Sequence, residues 1–266
     1  DIVTVRSNKL VIAVENNYPA TAAYGYFFVP VYRIALGEFQ RAIKLEEEGL
    51  EFARKVGVMT WSGIMMGTLT WIYQLARGDL QKAIETAEEV IHRSKKTGFL
   101  QAGVVLTPLA WAYQTIGEWE KAYEYYVQSL DFAERMHHHF LLIQTMLGLG
   151  RLFYEKEEYG KSEEILQKAV EIIERIRGKI RCPAQIPYAA FVPYIWLSEL
   201  HIKMGKSKEA KVMADQAYEV AVESKSRFYV AMANRLNGML FSYQKDWKSA
   251  IESFERSKRE FEAMGA

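Results

Sequence analysis

The block GEWEKAY, residues 117–123, occurs in six versions along the chain. The others are GEFQRAI at 37–43, GDLQKAI at 78–84, EEYGKSE at 157–163, GKSKEAK at 205–211 and KDWKSAI at 245–251. Each opens on a turn-forming or charged residue. Four place an aromatic two residues later (Phe39, Trp119, Tyr159 and Trp247), where the other two have Leu80 and Ser207. Three residues further on stands a small side chain: Ala42, Ala83, Ala122, Ser162, Ala210 and Ala250. These small positions are separated by 41, 39, 40, 48 and 40 residues. A fixed period of this size marks a chain built from stacked copies of one unit.

The register extends both ways from the small position. Eight residues downstream lie Leu50, Ile91, Leu130, Val170, Tyr218 and Lys258, and eleven downstream Ala53, Ser94, Ala133, Ile173, Ala221 and Phe261. Offsets of 4, 8 and 11 fall on one face of an α-helix, so each block opens a helix of about five turns. Fifteen downstream, Gly57, Gly98 and Gly265 stand where a left-handed helix cap wants glycine. Upstream lies a preceding helix, as in LQAGVVLTPLAWAYQTIG ending at Gly117. Twelve residues before the small position come Pro30, Trp71, Ala110, Gly150, Ser198 and Gly238, four of them small enough for two helices to approach closely. The unit is therefore a helical hairpin. We call the helix before each block the first helix and the one it opens the second.

This pattern resembles the tetratricopeptide repeat (TPR) family, on the Gly–x–aromatic–x–x–Ala block and the small residue in the first helix. The period near 40 exceeds the family's usual 34, and the family's helix-ending proline is absent. Long helices of this kind are similar to the sensor regions of MalT-type transcription activators, signalling ATPases and nucleotide cyclases. The fold expected is all-α, a right-handed TPR-like superhelix (α-solenoid) forming one domain over 1–266. Its repeats are expected at 17–57, 58–97, 98–137, 138–183, 184–225 and 226–266. Carrying the register back by 40 residues makes 1–16 the second helix of a truncated repeat. The competing reading there is a β-hairpin from the runs IVTV and LVIAV, and the helix is preferred. Since the chain opens on Asp1 in mid-repeat, it reads as a piece of a longer protein.

Composition limits the chemistry. Lys and Arg number 34 against 33 Asp and Glu, a net charge of +1, which argues against bulk binding to nucleic acid or anionic membranes. The single cysteine, Cys182, excludes a disulfide framework and suits a reducing compartment, so the cytoplasm is expected. The uncharged stretch 18–32 is too short to span a bilayer and holds Pro19 and Pro30. His137-His138-His139 is the one metal-like cluster, but adjacent helical residues diverge and cannot share an ion, so a surface turn is expected. No phosphate-binding glycine loop or nucleophile elbow is present. The carboxylate runs at 46–48 and 88–89 read as solvated faces. No cofactor and no metal are expected, and no enzymatic activity.

Two places break the pattern. The 48-residue interval adds about eight residues around RIRGKIRCPAQIP, 175–187. Pro183 and Pro187 make this an extended loop. Arg175, Arg177, Lys179 and Arg181 in it form a solvated cluster, with docking of a small anionic partner as the alternative reading. Pro30, Pro108 and Pro193 fall within predicted first helices, and they either kink those helices or mark where they start.

The resemblance implies a concave face lined by first helices. Offsets of 18, 15 and 11 residues before the small position place Tyr24, Phe27 and Val31 on it, then Met65, Thr68 and Ile72, then Val104, Thr107 and Trp111. They go on to Gln144, Leu147 and Arg151, then Val192, Ile195 and Glu199, then Met232, Arg235 and Met239. The Lys and Asn that chaperone-binding TPR domains use in the first repeat are here Phe27 and Val31, so acidic chaperone tails are not the expected partner. The expected function is a non-enzymatic module that binds a protein or peptide segment, or another domain of the same polypeptide. It would serve as sensor or scaffold in a larger regulatory protein. The alternative is a receptor for a metabolite or sugar, with a closed groove lined by Trp111, Phe27 and Met65.

Overall fold

The computed structural model describes residues 2–35, 37–57, 80–97, 102–176 and 185–264. Among them are twelve helices and no strand. In order they are α1 (Ile2–Glu15), α2 (Pro19–Ala35), α3 (Phe39–Lys55), α4 (Leu80–Thr97), α5 (Ala102–Thr115), α6 (Trp119–Arg135), α7 (His139–Glu155), α8 (Tyr159–Ile176), α9 (Gln185–Lys203), α10 (Ser207–Glu223), α11 (Arg227–Tyr243) and α12 (Trp247–Met264). The chain forms two compact units, Asp1–Ile34 with Glu38–Met136, and Ala35–Gly37 with His137–Ala266. In the first, α5 packs on α6 and α4 on α5. In the second, α7 pairs with α8, α9 with α10 and α11 with α12, and α9 also touches both α7 and α11.

One three-residue turn joins the helices of each described hairpin. The first residue of each of the five described block starts takes positive φ: Gly37 at 80°, Gly117 at 88°, Glu157 at 61°, Gly205 at 77° and Lys245 at 63°; Gly78 lies outside the described residues. The next residue's N–H then donates to the carbonyl five positions back, Glu118 to Tyr113 and Asp246 to Phe241 at 2.9 Å each, for example. The carbonyl of that same residue accepts from the small position, Ala122 to Glu118 and Ala250 to Asp246 at 3.0 Å. A single residue thus closes one helix and opens the next, satisfying end groups that would otherwise have no partner. The cap expected fifteen residues after the small position is also found, at Gly57 (φ 74°). Non-glycine residues fill it elsewhere: Asn17 at 56°, His137 at 50° and Lys225 at 55°. Gly98 and Gly265 lie outside the described residues.

The small positions sit where the paired helices come closest, and all six are buried. In two hairpins a side chain bridges directly to the residue twelve positions apart. Ser162 Oγ donates to the Gly150 carbonyl, and Ser198 Oγ to the Ala210 carbonyl, both at 2.7 Å. A Cβ added at Gly150 would come within 2.5 Å of the Leu166 side chain, and one at Gly238 within 2.7 Å of the Phe254 ring. The expected close approach is therefore real. The N-terminal segment is helical, as preferred over the hairpin. Pro30, Pro108 and Pro193 lie inside helices and do not begin them.

Glu46 departs from the solvated face expected for its acidic run. It stands four residues after Ala42, at the register position that Tyr126, Leu166 and Ala214 fill as core. It is fully buried, and neither carboxyl oxygen has a hydrogen-bond partner. Burial pushes its carboxyl well above the ordinary carboxylate value.

A lysine in the left-handed region costs about 1 kcal/mol relative to glycine. Lys225→Gly and Lys245→Gly should each raise the urea midpoint by that order, while Gly117→Ala should lower it. Nothing lies within 4 Å of a Cβ at Gly117, so that loss would be purely conformational. At Glu46 the native state holds a proton that the unfolded chain releases above a pKa of 4.5. Its contribution is whole below that pH and declines as pH rises toward the native pKa, by up to about 1.4 kcal/mol per unit. Comparing urea unfolding at pH 5 and pH 8 should show a loss in the parent protein that Glu46→Gln largely removes.

Candidate functional site

In the second unit, three successive first helices bring together charges that lie far apart in sequence. Glu199, on the middle helix α9, is buried to 8% side-chain exposure. Arg151 of α7 donates from Nη1 to Glu199 Oε2 at 3.1 Å. Arg235 of α11 donates from Nη2 to Glu199 Oε1 at 2.7 Å. Arg151 also donates from Nε to Glu155 Oε1 at 3.0 Å and lies over the Tyr154 ring, 4.8 Å from its centroid. Arg235 Nη1 lies 3.7 Å from the Met239 sulfur. The result is a row of alternating charge, Glu155–Arg151–Glu199–Arg235. Its carboxylate is fixed by two guanidinium groups that remain partly open to solvent, at 32% and 45% exposure.

The expected lining residues divide by burial. Gln144 and Arg151 on α7, and Met232 and Met239 on α11, are partly buried, and Arg235 is exposed. Ile195 is fully buried and Leu147 and Val192 nearly so, which corrects their placement on an open face. Helix α9, which carries Ile195 and Val192, packs against both α7 and α11. Arg235 occupies the register position of Ile195 on α11 and stays exposed.

In the first unit, Tyr24 is exposed and Phe27 half-buried, and both rings pack on Phe28 at 4.3 and 4.7 Å between centroids. Trp111 is half-buried on α5. Thr107 is buried, its hydroxyl 2.8 Å from that of Ser129, so it belongs to the α5–α6 contact rather than to an open surface. Met65, Thr68 and Ile72 lie outside the described residues, as do Arg177, Lys179, Arg181 and Cys182 of the basic loop. The side chain of Val104 is likewise not described.

Two further polar groups went unread in the sequence. Glu163 on α8 accepts from Lys206 Nζ at 2.6 Å and lies 3.0 Å from His201 Nε2, tying α8 to the α9–α10 turn. The Lys206 ammonium, helped by His201, holds the Glu163 carboxyl below its ordinary value. Tyr113 donates to Glu88 at 2.7 Å and stacks on Tyr125 at 5.6 Å. The histidine run forms the turn before α7, where His138 Nδ1 accepts from the Leu141 N–H at 3.1 Å. Among the described residues no group of His, Cys, Asp and Glu could hold a metal ion, and no helix is long and apolar enough to cross a membrane.

Residues 102–175 match the tetratricopeptide repeat family, and the fold of the described chain is that of TPR-like repeat proteins. No curated protein sequence matches it. Among solved structures, a Rap protein in complex with competence and sporulation factor is similar over 92% of this chain and 76% of its own, at 14% identity and TM-score 0.68. BtubC from P. vanneervenii is similar over 86% and 92%, at 18% identity and TM-score 0.61. A signal-transduction ATPase from Pyrococcus horikoshii with a tetratricopeptide repeat sensor is similar over 96% of this chain and 41% of its own, at 16% identity and TM-score 0.52.

Proposed function

We propose that this chain is a non-enzymatic recognition module that holds an extended peptide or protein segment against its first helices. It would act as the sensor or scaffold part of a larger cytoplasmic regulatory protein. The observation that carries this reading is the face of α7, α9 and α11. The repeats of α7 and α11 contribute partly exposed groups there of mixed chemistry, Gln144, Arg151, Met232, Arg235 and Met239, on either side of the buried Glu199 of α9. Fixed charges give register, and methionines adapt to varied apolar side chains. A protein similar in fold is a Rap protein whose structure holds competence and sporulation factor, which supports peptide as the kind of ligand. In the first unit, Trp111 offers a half-buried aromatic anchor of the type that dominates interface energies.

A random dodecapeptide library displayed on phage and panned on the protein tests this. Enriched peptides should bind with micromolar affinity in fluorescence polarisation. Met239→Ala with Gln144→Ala, or Trp111→Ala for peptides held by the first unit, should weaken them at least tenfold while circular dichroism stays helical. Lys258→Ala on α12 should change nothing. Absence of enrichment, or peptides indifferent to all these changes, would sink the proposal.

A further inference from the structure

The row Glu155–Arg151–Glu199–Arg235 has a closed end and an open end. At the closed end, Arg151 is engaged on two sides by Glu155 and Glu199, with Tyr154 beneath its guanidinium. Glu199 has each oxygen occupied by a different arginine. At the other end, among the described residues, Arg235 meets one carboxylate, and its Nη1 lies against the Met239 thioether, a weak acceptor. It is also the most exposed member of the row. The alternation therefore stops on a cation whose orientation is already fixed by Glu199 and whose outer donors face solvent.

We propose that Arg235 seats a carboxylate of the bound peptide, with Met232 and Met239 receiving the apolar side chains on either side of it. This rests on the peptide-binding reading given above. A ligand carboxylate at that place continues the alternation, and it meets a guanidinium whose rotamer freedom Glu199 has already reduced. Met232, Arg235 and Met239 share one face of α11 by their spacing of three and four residues. The seat is thus an anion site bordered by two flexible apolar groups. The carboxylate could be an aspartate or glutamate side chain or the peptide's own C-terminus, and the same donors serve either.

Four fluorescein-labelled hexapeptide pools, randomised over uncharged residues, separate these cases. The first carries one fixed Asp and an amidated C-terminus, and the second replaces Asp by Asn. The third has a free C-terminal acid and no Asp, and the fourth is its amide. At low salt, the protein should bind the first pool at least fivefold tighter than the second if a side-chain carboxylate is read. It should bind the third at least fivefold tighter than the fourth if the C-terminus is read. Arg235→Gln should erase the preference without erasing binding of the neutral pools, and Arg235→Lys, which keeps the charge but loses the fork, should retain part of it. Equal binding of acidic and neutral pools, or a preference that survives Arg235→Gln, overturns the carboxylate seat and leaves the peptide-binding reading standing. Binding of no pool overturns both.

Discussion

The closest approach of the two helices in each hairpin is the constraint on which the rest depends. A small residue at the head of the second helix, with another twelve residues earlier in four of the six repeats, lets the backbones come together. At Gly150 and Gly238 the space a methyl group would need is already filled by Leu166 and Phe254. That contact fixes the pairing, and the three-residue turn just before it fixes the connection. With both set, the outward side of each first helix depends mainly on what its neighbours leave uncovered.

This explains why the repeat was legible from sequence and the lining of its face only in part. Period, helix pairing and the small positions all reside in local spacing, and the structure keeps each where it is described. The caps were half visible: glycine marks the left-handed residue at Gly57 and Gly117, but His137, Glu157, Lys225 and Lys245 adopt the same conformation. Surrounding hydrogen bonds hold them there despite the modest cost. Burial at a given offset is not local. Leu147, Ile195 and Arg235 share a register position, yet the first two are core and the third is exposed. Glu46 is the sharper failure of spacing arguments, since an acidic run on a second helix gave no sign that one member stands in the core.

The charges of the second unit were readable only as isolated residues. Arg151 and Glu199 are 48 residues apart, and Glu199 and Arg235 are 36 apart. Nothing in the sequence pairs them except the period itself. Since the period brings the same offset of successive first helices side by side, Arg151 and Glu199, both eleven residues before their small positions, become neighbours. A period-aware search for opposite charges at matched offsets would have found them.

Packing alone does not ask for these charges. The offset that holds Arg151 and Glu199 holds Trp111 and Met239 in other repeats, so the fold accepts apolar side chains there. A carboxylate as buried as Glu199 carries a desolvation cost that its pairing commonly only offsets, and apolar replacements of such pairs are often as stable. Stability is therefore a weak account of why arginine and glutamate stand on this face. Geometry is a stronger one. Glu199 draws two guanidinium groups from separate helices into fixed orientations, and that of Arg235 stays partly open to solvent. A surface so arranged gains selectivity for an anionic ligand group before any ligand arrives.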